Sequence, residues 1–148
     1  MKRRSSSRGF SLLELLIVVA IILIIATIAI PSLLRSRQTA HEAAAVGTLN
    51  TLNTAMISYT TSSGGVYSDL PALAVAGLID TRFSTVSPIS GYNYTVDLAV
   101  NRRNYTIYAS ANSSNEGRYD YYTGPDYVIR FATDSTRSPA GLNGAPVN

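Results

Sequence analysis

The stretch GFSLLELLIVVAIILIIATIAIPSLL, Gly9 to Leu34, carries one charge, Glu14, and between Leu15 and Ile30 its only polar residue is Thr27. About 20 helical residues at ~1.5 Å each cover the ~30 Å hydrocarbon core of a bilayer, so this segment is long enough to span one. Lys2, Arg3, Arg4 and Arg8 precede it, and the next basic residues are Arg35 and Arg37. Basic flanks stay on the cytoplasmic side, so the N-terminus is expected inside and the body of the chain translocated.

The same four N-terminal cations explain the formal charge of +3; the other 139 of the 148 residues carry 8 arginines and 9 carboxylates, a net −1. The basic balance therefore belongs to a short topogenic segment, and a nucleic-acid reading of the whole chain is weakened. Charged residues make up only 14% of the chain, well below the roughly 25% of an ordinary soluble domain. With no cysteine and one histidine, disulfide frameworks, thiolate metal sites and paired-histidine chemistry are excluded.

Three readings compete for the apolar segment. A secretory signal peptide would have a core of about 7–15 residues leading to a small-x-small cleavage site, and none follows here. A plain membrane anchor fits the length but leaves Glu14 unexplained, because a carboxylate in lipid costs on the order of 2.5–3.5 kcal/mol on insertion scales. The third reading gives Glu14 a task. Arg8-Gly9-Phe10-Ser11-Leu12-Leu13-Glu14-Leu15-Leu16 resembles the class III signal of type IV prepilins, and the match continues through Ile17 to Ile22 and Ile28 to Pro31, over about a fifth of the chain.

The resemblance implies that a membrane aspartic protease cuts between Gly9 and Phe10 and N-methylates the new terminus. It also implies that Glu14 pairs with the N-terminal amine of a neighbouring subunit during assembly into a helical filament. Phe10 and Glu14 lie one helical turn apart, about 6 Å. Opposite charges in an apolar bundle attract strongly, and an unpaired carboxylate there is penalised. Expected partners are other copies of the chain, the prepilin peptidase/N-methyltransferase, and the pilus or secretion assembly machinery of the inner membrane. The expected location is the bacterial inner membrane before assembly, then an extracellular pilus or a periplasmic pseudopilus.

Beyond Pro31, which removes one backbone hydrogen bond and favours a kink, the pattern becomes amphipathic. Members of the resembled family are often curved or partly melted there. Val46, Leu49, Leu52, Met56 and Tyr59 recur every three or four residues, a stripe able to pack on a head domain. The Thr60–Gly65 cluster ends the pattern. One helix is thus expected from Phe10 to about Thr61. His41 reads as a solvated helix-face residue, since no second histidine or cysteine could join it in a metal site.

The head should begin with a short helix containing Pro71 in its first turn. Tyr92, Tyr94, Val96 and Leu98 alternate with polar residues, and Tyr105–Ala111 is rich in β-formers. Segments 118–123 and 127–132 flank Gly124-Pro125-Asp126, a strong turn signal. The expectation is an antiparallel meander of three or four strands with one face on the helical stripe. The fold class is α+β: a long N-terminal helix, transmembrane in its first half, backed by its second half onto a small sheet. The divisions are a leader at 1–9, an apolar assembly helix at 10–34, its amphipathic continuation at 35–61, a loop-and-sheet head at 62–132, and an irregular Ser/Gly/Pro-rich tail at 133–148.

Many pilins close a C-terminal loop with a disulfide; without cysteine, this one must be held otherwise. Major pseudopilins of type II secretion often carry calcium, but Asp120, Asp126 and Asp134 are scattered, so no metal or cofactor is expected. Arg102-Arg103 beside Tyr105 are too few for a nucleic-acid surface. The ten tyrosines read as ordinary strand formers. No nucleophile motif, phosphate loop or paired catalytic carboxylates are present, so an enzyme is not expected. The alternatives to a pilus subunit are a type II secretion pseudopilin, a minor pilin, or a membrane-anchored binding module.

Overall fold

A computed structural model describes residues 10–85, 87–131 and 144–147. The leader, with Gly9, lies outside these residues, as does most of the tail. The chain divides between Ser36 and Arg37 into two units. Helix α1, Leu12–Ser62, begins in the first and ends in the second.

In the first unit α1 is the one element among the described residues, and its large apolar side chains from Leu12 to Leu34 are exposed. It is the one helix among the described residues long and apolar enough to cross a membrane. Pro31 lies inside it and has no N–H to offer the Thr27 carbonyl, so one rung of the ladder is missing there. The Thr27 hydroxyl turns back onto the Leu23 carbonyl at 2.7 Å, so this polar group needs no outside partner.

The second unit holds the core. From α1, Ala45, Leu49, Leu52, Ala55 and Met56 are buried, the stripe read from the sequence with alanines filling its flanks. Helix α2, Leu70–Val75, starts where Asp69 accepts a hydrogen bond from the Ala72 amide at 3.0 Å, with Pro71 in the first turn. It stops at Gly77, whose φ of 71° lets Leu78 N–H reach back to the Leu73 carbonyl and Gly77 N–H to Ala74. A 3-10 turn, Thr81–Ser84, leads to the sheet.

Five antiparallel strands follow in chain order: β1 (Tyr92–Leu98), β2 (Tyr105–Ala111), β3 (Tyr121–Thr123), β4 (Arg130–Phe131) and β5 (Ala145–Pro146). Strands β1 and β2 pair along their full length, Tyr92 opposite Ala111 and Leu98 opposite Tyr105. Tyr92, Tyr105, Ile107, Ala109 and Tyr121 are buried against the helical stripe.

Three expectations need correction. Strand β3 starts at Tyr121 rather than residue 118, because the preceding groups have other partners: Arg118 N–H donates to Glu42, the Tyr119 carbonyl accepts from the Tyr92 hydroxyl, and Asp120 accepts from the Ala111 amide. Strand β4 is cut to two residues because Tyr127, at φ 60°, completes the turn and Val128 N–H is taken by Asp126. The tail is not irregular throughout: Ala145–Pro146 adds a fifth strand against β4, and Val147 N–H bonds the Ile129 carbonyl at 2.8 Å. Tyr122, fully buried, accepts a hydrogen bond from Gly144 N–H through its hydroxyl. The closure that a disulfide provides elsewhere is made here by backbone pairing and one tyrosine. Pro146 leaves this sheet edge without one of its donors.

Candidate assembly site

Phe10 stands 78% exposed just before α1. Ser11 caps the helix: its hydroxyl accepts from Leu13 N–H at 3.3 Å. Glu14 Oε2 in turn accepts from Ser11 N–H at 3.0 Å. This is a reciprocal cap, with the carboxylate satisfying a first-turn donor and lying at the positive end of the helix. The Ser-x-x-Glu spacing was a legible signal for it. The carboxylate is thus held one residue from the Phe10 nitrogen, while Gly9, where the sequence leads one to expect a cut, lies outside the described residues.

In the second unit, α1 is fastened to the β2–β3 connection by a polar clasp. Glu42 is buried, with 6% of its surface exposed, and lies 76 positions from Arg118 in the chain. Its Oε1 accepts from Arg118 N–H at 2.8 Å and Nε at 3.1 Å, and its Oε2 from a guanidinium nitrogen at 2.7 Å. Burial pushes the Glu42 carboxyl up, but the Arg118 donors outweigh it and hold it below the usual carboxylate range. The same pairing raises the Arg118 guanidinium.

One turn earlier, Arg37 lies 3.1 Å from Glu116 Oε1, His41 Nδ1 lies 2.7 Å from Glu116 Oε2, and Gln38 donates to the Ser114 carbonyl at 2.8 Å. The expectation of a solvated His41 is therefore corrected: its side chain is 20% exposed and faces Glu116. Gly91 closes the same corner, since a Cβ there would come within 2.6 Å of His41 Nδ1. Deeper in, Asn53 donates to the Thr123 hydroxyl at 2.8 Å and accepts from the Tyr105 hydroxyl at 3.0 Å. Burial pushes the Tyr105 phenol strongly up, helped by the nearby Tyr127 and Tyr67. Sequence reading missed Glu42, Arg118 and Asn53, because their partners lie 52 to 76 residues away.

The scattered aspartates do not converge. Asp120 caps the Ala111 amide, Asp126 pairs with Arg130 at 2.6 Å, and Asp134 is outside the described residues. Hydrogen bonding to Arg130 lowers the Asp126 carboxyl. Among the described residues no group of three or more His, Asp or Glu could hold a metal ion. Arg102 and Arg103 sit exposed in the β1–β2 turn.

Residues 4–30 match the family model described as the prokaryotic N-terminal methylation motif. The chain is 37% identical over 86 residues to the type IV wide pilus major component PilA4 of Thermus thermophilus. That match covers 55% of this chain and 66% of the relative, just under two thirds of its length. No solved structure matches the chain. A methylation motif, an exposed apolar helix opening on a capped glutamate, and a helix-backed antiparallel meander agree with one another: the chain carries the prokaryotic N-terminal methylation motif on the α+β fold of type IV pilins.

Proposed function

We propose that the chain is a structural subunit of a type IV pilus, cut after Gly9, N-methylated at Phe10 and polymerised through its apolar helix. The observation that carries this reading is an uninterrupted exposed apolar segment whose only carboxylate, Glu14, lies one turn from Phe10. Before assembly, lipid covers that segment; in a filament, other copies of it do. Lipid and helix are equally apolar, so the gain comes from side-chain packing and from pairing Glu14 with an amine, not from transfer out of water. The carboxylate exchanges the Ser11 amide for the charged Phe10 amine of a neighbour, a stronger partner. Pro31, with its missing rung, is where α1 loosens as copies pack.

The similar Thermus protein is a major component of a wide pilus, which supports a bulk subunit rather than a rare one. Shearing cells and identifying the subunit in the released surface filaments tests the proposal. Abundant recovery is expected. Retention of the subunit in the cell envelope of secreting cells would assign it to a pseudopilus instead.

A further inference from the structure

We infer that heads of neighbouring copies interlock, the β1–β2 tip of one seating in the groove along strand β1 of the next. The inference rests on the pilus reading above and names the head surfaces that meet.

The groove lies between the edge strand β1 and the segment that precedes it, and encloses about 300 Å³. Leu70, Pro71, Phe83, Tyr94 and Val96 make its apolar walls, and the Phe83 and Tyr94 rings meet edge to face with centroids 5.6 Å apart. Among the described residues that line it, the only charged one is Asp69. One Asp69 oxygen caps α2; among the described residues the other has no partner. Such a volume is at the lower limit of ligand-sized sites and suits one or two side chains. The lining selects them: apolar or aromatic-stacking groups, with a cation for Asp69.

The tip offers that set. Val100 is fully exposed, and Arg102 and Arg103 beside it are in no ion pair among the described residues. The backbone presents them rigidly: Arg102 N–H donates to the Ala99 carbonyl, the Arg102 carbonyl accepts from Tyr67 N–H, and Arg103 N–H donates to the Asn101 side chain. The tip cannot fill its own groove, because it lies beyond the end of the strand that forms the groove wall. An arginine over Phe83 or Tyr94 and beside Asp69 combines cation–π and charge attraction. Two different surfaces meet, so the contact is heterologous, the kind that can repeat along an open filament.

The chain has no cysteine, so an engineered pair reports the contact cleanly. Filaments of a Ser84→Cys/Val100→Cys variant, mildly oxidised, should run as a ladder of covalent multimers on a non-reducing gel; either single variant should give nothing larger than a dimer. A second variant, Arg102→Asp/Arg103→Asp, should cut the yield of sheared filaments about tenfold while leaving the melting temperature of the subunit unchanged. Normal filaments that give no ladder overturn the contact and leave the pilus reading standing. Full filament yield from the charge-reversed tip also overturns it. If the native chain forms no filaments, both readings fall.

Discussion

The carboxylate of Glu42, buried on α1, receives three hydrogen bonds from Arg118, two from its guanidinium and one from its backbone N–H. One side chain thereby satisfies a charged group and an amide that would otherwise lengthen β3. The contact fixes where the β2–β3 connection crosses the helix, and the Arg37–His41–Glu116 cluster fastens the same connection a turn away.

Glu42→Ala removes a charged acceptor and strands the Arg118 amide. The expected cost is about 2–3 kcal/mol, less than the ~3–5 of a fully buried pair because the Arg118 side chain is half exposed. For a chain of this size that lowers the melting temperature by on the order of 5–10 °C. Thermal unfolding of the full chain in detergent measures it; an unchanged melting point contradicts the clasp.

The same pair gives a pH dependence of known sign. The Glu42 carboxyl titrates below its ordinary value of 4.5 in the folded chain. As pH falls, the unfolded chain therefore takes up the proton first. The clasp contributes fully above the ordinary value, and its contribution fades as pH drops through the lowered one. Glu42→Gln should flatten this acid limb of a stability-against-pH curve; an unaltered limb would assign acid lability to other groups.

Asn53 joins two hydroxyls in the core, so Asn53→Ala leaves those of Thr123 and Tyr105 without that partner. A loss of about 2–3 kcal/mol is expected, against about 1 kcal/mol for Tyr105→Phe. Chemical denaturation of both variants checks the order, and equal losses would count against the bridge.

Gly91→Ala combines a φ of 79° with a Cβ within 2.6 Å of His41 Nδ1 and 2.7 Å of Glu116. Strain of about 1–3 kcal/mol is expected. His41→Ala should recover part of it by opening the corner; if the double variant is no better than the single, the clash is not the cause.

Glu14→Ala should enter the membrane as well as the native chain, or better, yet leave few filaments after shearing. Fractionation measures the first and filament yield the second. Normal filament yield would remove the assembly role from Glu14.

Much of this architecture is legible in the sequence where the interactions are local. The α1 stripe follows from spacing, and β1 and β2 follow from alternation between two polar turns. Asp69 and Pro71 mark the start of α2. What escapes is non-local. Nothing near Glu42 or Arg118 in the chain announces their pairing, and that pairing is why β3 is short. Strand β5 escapes because two residues, one a proline, carry too little pattern to stand out from the Ser/Gly/Pro-rich segment around them. At the N-terminus the isolated glutamate announces a site. Its cap by Ser11 was equally readable, but the burden of a charge in lipid dominates the first reading.

The most direct test is the N-terminal residue and mass of the mature chain isolated from its host. The expected result is a chain beginning at N-methylated Phe10. A chain beginning at Met1, or one cut beyond Ala29, would contradict the account, because neither would carry a free Phe10 amine for a neighbouring Glu14 to meet.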